Sequence, residues 1–230
     1  MRVRWLLSAV AATAGVAGCG ADAPPRASVE ARAVPTATPA PEIEGELGRP
    51  VTVPGTANIF GAGRERPPAP GGGGAGVLPA RWMLAGASTP QVVTFPRITG
   101  SVSPIDPSDP NGAGGDRIGP TDVSSYRGIS GIRHQSNGMF LVGVFLPDVE
   151  LLDHAPPRLD FTKRDRFRSL APRLGQTFLI GNGKGRSYKV PPGTTRLYVG
   201  FADGYLYIGK PGWYDNNGGR LAVTVKLAPG

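Results

Sequence analysis

The sequence predicts an all-β protein, an antiparallel jelly-roll β-sandwich behind a disordered N-terminal tether, and three observations predict it. Leu197, Val199 and Phe201, then Leu221, Val223 and Val225, alternate with smaller or polar residues. Alternation at period two is the mark of a half-buried strand. Residues 139–146 form an unbroken apolar run between Gly138 and Pro147, which fits a central strand covered on both faces. Thirty-five Gly and twenty-five Pro among 230 residues punctuate the chain, a level at which part of it stays unfolded. Aromatic residues make up only 7 % and fall mostly after position 120, so the core is expected in the second half.

Residues 1–18 read as a secretory signal. Arg2 and Arg4 make a positive start, and the apolar stretch from Trp5 to Val16 is too short to span a bilayer. Val16, Ala17, Gly18 and Cys19 then have the pattern of a bacterial lipobox, and Cys19 is the only cysteine. It is the expected acylated N-terminus, since several acyl chains hold a protein on a membrane far better than one. Gly20 in place of Asp argues against retention in an inner membrane, so the expected location is the outer membrane or cell surface. Loss of Arg2 and Arg4 with the signal lowers the net charge from +8 to +6.

Residues 19–48 are rich in Ala, Pro, Thr and Glu and nearly free of large apolar side chains, so they read as a tether. The folded domain is expected over 49–230, with about eight strands. A first strand runs from Val51 to Phe60, broken at Pro54-Gly55 as an edge strand would be. Residues 64–79, with four consecutive glycines at 71–74, read as a long surface loop. Strands are expected over 81–84 and 91–102. Residues 103–122 hold Asp106, Asp109, Asp116 and Asp122, yet fail as an EF-hand: counted from Asp109, the fifth position is Ala113 and the twelfth is Pro120.

Residues 159–174 read as loop with a helical turn. The run Lys163, Arg164, Asp165, Arg166, Phe167, Arg168 is a solvated loop or a contact for phosphate or acidic polysaccharide. Residues 177–180 and 186–190 flank a glycine run at 181–185 that lacks the Walker spacing and reads as a hairpin turn. No nucleic-acid motif spacing occurs, and catalysis finds little to stand on. His134 and His154 have no ligand spacing for zinc and read as surface or loop histidines. Ser130 misses the Gly-x-Ser-x-Gly elbow by one residue. A carboxylate pair such as Asp203 and Asp215 fits calcium better than glycoside cleavage. The chain is therefore expected not to be an enzyme.

The most informative stretch is 196–225. Between its two strands lie Asp203, Asp215, Asn216, Asn217, Gly218 and Gly219. Asn-Asn-Gly-Gly makes a tight turn, because Asn tolerates and Gly favours left-handed backbone angles. The same loop gathers carboxylates, amides and carbonyls, the hard oxygen ligands that calcium takes.

Residues 211–219, Pro-Gly-Trp-Tyr-Asp-Asn-Asn-Gly-Gly, followed by an alternating strand, resemble the C-terminal signature of the PA-I galactophilic lectin family. That resemblance implies a calcium-dependent, galactose-binding-domain-like β-sandwich. It implies calcium ligation by Asp203, Asn216 and Asn217, with the carbonyl of Trp213 as a further ligand. The connection 204–210 is longer than the family's. Gly115-Asp116-Arg117 echoes a second family loop, but Gly119 and Asp122 stand where its sugar-touching His and Gln would be.

The resulting expectation is a surface lipoprotein binding a carbohydrate or glycoconjugate with calcium as cofactor. Asp203, Trp213, Tyr214, Asp215, Asn216 and Asp122 are the expected sugar contacts, with Tyr205 and Tyr207 as further aromatic platforms. A structural or adhesion module ordered by calcium or hydrogen bonds, and an accessory protein of a glycan-acting hydrolase, are the alternatives.

Overall fold

Frequent Gly and Pro break much of the chain into short extended pieces, which pair with two long strands into three sheets. The structure is a computed structural model describing residues 41–84, 90–105, 110–117, 119–149 and 154–230. The strands are β1 (Glu44–Gly45), β2 (Pro50–Pro54), β3 (Ala80–Met83), β4 (Gln91–Ser103), β5 (Thr121–Val123), β6 (Ile132–His134) and β7 (Leu141–Leu146). They continue as β8 (Leu159–Phe161), β9 (Ser169–Leu170), β10 (Phe178–Leu179), β11 (Ser187–Lys189), β12 (Arg196–Phe201), β13 (Ile208–Gly209) and β14 (Gly218–Pro229). The described helical structure is three single 3-10 turns, at Ile59–Gly61, Tyr205–Tyr207 and Tyr214–Asn216. The protein is all-β, as its patterning predicts.

The first sheet runs β1-β3-β12-β7-β10, the second β2-β14-β4-β11-β9, and the third β13-β5-β6-β8. Every residue of β7 is buried, and its side chains split between two apolar clusters. Leu141 and Phe145 join Val93, Phe95, Leu221 and Val223 of the second sheet. Val142, Val144 and Leu146 join Val123, Ile132 and Phe161 of the third. Since strand side chains alternate sides, the first sheet is covered on both faces. That cover is what the unbroken apolar run of β7 anticipates.

Several expectations need correction. About eight strands were expected, and fourteen are described, many only two or three residues long. Pairing is mixed: β1 with β3, β9 with β11, β13 with β5 and β6 with β8 are parallel. β10 and β11 do not form a hairpin. β10 pairs with β7 and β11 with β4, so residues 181–185 cross between two sheets. Left-handed angles at Gly181, Gly183 and Gly185 turn the chain through that crossing. The expected helical turn in 159–174 is instead β8 and β9.

The expected tether, 19–48, already carries pairing at its end, where Glu44 and Gly45 stand opposite Arg81 and Trp82. Arg81 forms ion pairs with Glu42, at 2.7 Å, and with Glu44. Gly45 lies flat on the Trp82 indole, where a Cβ would come within 2.3 Å of the ring. Polar composition hides this strand because charge pairing and close approach, not apolar bulk, hold it. The edge assignment for β2 stands: it ends its sheet and pairs with β14 alone. The signal at 1–18, Cys19, Asp106 and Asp109 lie outside the described residues.

Candidate functional site

β12 runs through the core and delivers Asp203 just beyond its last residue, Phe201. Tyr214, fully buried, fastens the returning chain there: its hydroxyl donates to the Phe201 carbonyl at 3.1 Å and accepts from the Asp203 N–H at 3.0 Å. Gly212 N–H donates to the Asp203 carbonyl at 3.2 Å. The long connection 204–210 closes on itself through a bridge between Gly204 and Pro211. It is an excursion that leaves and rejoins at one point, so its length does not carry Asp203 away.

At that point Asn217 Nδ2 donates to Asp203 Oδ2 at 2.8 Å, and Gly204 N–H donates to Asp203 Oδ1 at 2.7 Å. Asp203 is 4 % exposed and Asn217 7 %. Burial pushes the Asp203 carboxyl up to about 7, against the opposing pull of the Asn217 and Gly204 hydrogen bonds. The other amide atom, Asn217 Oδ1, is buried and has no donor. An orphaned buried acceptor costs about 1–3 kcal/mol, so its presence beside a buried carboxyl calls for an explanation. A half-turn of this amide would set two oxygens face to face, an arrangement that needs a cation or a proton between them.

Tyr207, expected as an aromatic platform, lies within reach of the Asp203 and Asp116 charges. Burial raises the Tyr207 hydroxyl, and the Asp203 and Asp116 charges raise it further. Asp116 bridges Gly138, and Gly138 lies against the Tyr207 ring, where a Cβ would come within 2.8 Å. The Tyr207 hydroxyl thus feels both the Asp203 and the Asp116 carboxylates.

The glycine-rich loop was expected only as surface. It lies along the site loop: Gly71 N–H donates to the Pro211 carbonyl at 2.7 Å, and Trp213 N–H to the Gly72 carbonyl at 2.8 Å. Trp213 Nε1 donates to the Gly71 carbonyl at 3.2 Å, and Gly76 N–H to Asp215 Oδ1 at 2.8 Å. A Cβ on Gly73 would meet the Trp213 indole at 2.3 Å, and one on Gly74 would meet Asp215 at 2.1 Å. Successive glycines stand there because a backbone passes directly over two side chains.

The expected sugar contacts divide. Tyr214 is buried under the loop and offers no platform. Asp215 is exposed and accepts from Gly76 N–H, and Asn216 beside it is exposed. Asp122 is committed elsewhere, paired with Arg133 at 3.3 Å and with Arg158. Trp213 instead gains Tyr205 as a partner, with ring centroids 5.0 Å apart, and Tyr205 is 59 % exposed. Leu206 and Tyr207 next to it hold φ of 51° and 61°. Leu206 is exposed and Tyr207 half-buried, and two consecutive non-glycine residues with left-handed angles carry backbone strain.

Other candidate groups are absorbed by the fold. His134 is buried, not on a surface loop, and burial lowers its pKa. Its Nδ1 accepts from Ser136 and Asn137 N–H groups at 3.3 and 3.1 Å. Ser130 Oγ accepts from Thr177 N–H at 2.9 Å and donates to the Gly131 carbonyl.

Carboxylate and amide oxygens are the ligand types calcium takes, and among the described residues no three His, Cys, Asp or Glu side chains gather into a metal-holding group. Compared with protein-family models, curated proteins and solved structures, the chain gives no match.

Proposed function

We propose that this is a lipid-anchored envelope protein whose domain, a β-sandwich of jelly-roll type, binds carbohydrate through calcium held by Asp203 and Asn217. The observation that carries this reading is the buried Asp203 carboxyl beside an Asn217 whose Oδ1 has no donor. A calcium would satisfy both: its charge stabilises the ionised carboxylate that burial alone disfavours, and it accepts the amide oxygen as a ligand. Backbone carbonyls near Trp213, and Asn216 after a change of rotamer, would supply further oxygens. Sugar hydroxyls would complete the shell, and the exposed Tyr205–Trp213 pair would carry the apolar face of a sugar ring. The reading is binding without catalysis.

A glycan array probed with the full chain, with and without chelator, tests it. Neutral-glycan binding that disappears in chelator supports the proposal, and the absence of glycan binding at millimolar calcium defeats it. The alternative, an adhesion or structural module with a hydrogen-bonded loop, draws on the Tyr214 hydroxyl, which fastens Phe201 and Asp203 with no ion needed. Calcium-dependent melting without glycan binding would favour that module.

A further inference from the structure

A second site lies outside the Asp203 loop. Parallel pairing of β9 with β11 sets Ser169 and Leu170 beside Ser187 and Tyr188. That register draws the basic run 163–168 alongside the glycine turn 181–185. Between them is a cleft of about 400 Å³ lined by Arg166, Phe167, Arg168, Lys184 and Arg186. Four of its five lining residues carry positive charge.

The cleft is built, not a chance meeting of mobile side chains. Phe167 anchors its floor in the core, with ring centroids 5.8 Å from Phe161 and 6.0 Å from Tyr188. The Arg186 guanidinium lies 4.6 Å over the Phe167 ring. It donates to the Ile180 carbonyl at 3.0 Å and to the Asp165 carbonyl at 2.9 Å. Those two bonds, with a further side-chain hydrogen bond to the Tyr188 hydroxyl, fix the guanidinium in place. Lys184 sits on a turn fixed by Gly183, which packs on Phe95, and by Asn182 Oδ1 accepting from its own N–H at 3.2 Å. Arg166, Arg168 and Lys184 are exposed and form no ion pair among the described residues. Asp165, the one carboxylate in the run, is exposed and exerts its pull on His134.

We propose that this cleft binds the sulfate or phosphate esters of an anionic polysaccharide. Planar guanidinium forks match tetrahedral oxyanions, and charge-assisted hydrogen bonds are the strong ones. The cleft holds one such group, and exposed Lys163 and Arg164 extend the charge along the same loop for the next. Single-stranded nucleic acid needs free aromatic faces to stack on, and Phe167 is covered by Arg186. A bilayer favours apolar anchors, and none of the exposed large apolar residues lines the cleft.

The test measures binding of the full chain to heparin at low salt, with inorganic pyrophosphate as competitor. Arg166→Ala with Lys184→Ala is compared with Arg49→Ala with Arg220→Ala, which removes the same charge from exposed positions outside the cleft. The expected result is displacement by pyrophosphate and a loss of at least about tenfold in the cleft variant, the size of one charge-assisted hydrogen bond. The control should stay within about twofold of the parent, screening being general and the contact specific. Equal losses in both variants, or no heparin binding by the parent, would overturn the proposal. So would cleft-dependent binding to phosphatidylglycerol vesicles or single-stranded DNA that exceeds binding to heparin. All four changed residues are exposed, so unaltered melting of both variants checks the fold. The calcium reading stands or falls independently of this result.

Discussion

Asn217 donates to the carboxylate of Asp203, fourteen positions earlier in the chain, at 2.8 Å, and both side chains are buried. The pair joins the end of β12 to the start of β14, so the state of one carboxyl is coupled to the order of the whole loop.

The first consequence is a pH dependence. The Asp203 carboxyl titrates at about 7 in the folded protein, against 3.8 in its ordinary state. The folded chain therefore binds the proton more tightly, and stability in chelator should fall as pH rises from about 4 to 7. The loss should level off above about 7 and total on the order of a few kcal/mol, each pH unit being worth ~1.4 kcal/mol. Asp203→Asn should flatten that slope and match or exceed the parent's stability at pH 8. Urea titrations at several pH values would show it, and an unchanged slope in the variant would assign the dependence elsewhere.

Calcium should reverse the high-pH loss. With few carboxylates, affinity should lie at the weak extracellular end, with a Kd of ~10⁻⁴–10⁻³ M. At ~10 mM calcium, linkage then gives a stabilisation of about 1.4–2.7 kcal/mol at pH 8. Binding should weaken below pH 7, where a proton competes for Asp203. Asn217→Ala should abolish the increment. Calorimetric melting with calcium, with magnesium and with chelator would register these shifts.

Gly74→Ala should be destabilising. Gly74 holds φ of 91°, and an added Cβ would come within 2.1 Å of the Asp215 carboxyl carbon. A non-glycine residue in that region costs about 1–3 kcal/mol before the clash is relieved. The neighbouring Gly72 also has a left-handed angle, φ 80°, but open space at its Cβ, so Gly72→Ala should cost less. Chemical denaturation of the two variants gives the comparison, and equal costs would remove the close-approach explanation.

Cys19→Ser should shift the protein from membrane to soluble fractions or block cleavage after residue 18, since the single cysteine is the proposed acylation site. Fractionation with metabolic acyl labelling reads it directly. Unchanged membrane partition with normal processing would refute the lipoprotein reading.

Much of the fold was legible in the chain itself. Alternation at 197–201 and 221–225, and the two-sided run at 139–146, of which Leu141–Leu146 is strand, mark strands because each side chain's face is set by strand geometry alone. Pro54 marked an edge because it has no N–H to give a neighbour. The loop at 203–217 was legible as chemistry, since its oxygen-bearing residues are crowded between two strands. Pairing partners were not legible. β10 and β11 look like a hairpin locally, and only long-range contacts with β7 and β4 send them to different sheets. β1 escaped notice because one tryptophan face and two ion pairs hold it without apolar residues of its own. Residue types therefore determined which segments extend and where oxygen-bearing side chains crowd together. The tertiary structure decided which of them meet: it buried Tyr214, left Asn216 outside, and set Asn217 against Asp203. The physical reason is that burial and close approach belong to pairs of segments distant in sequence, and no local pattern encodes which pair will form.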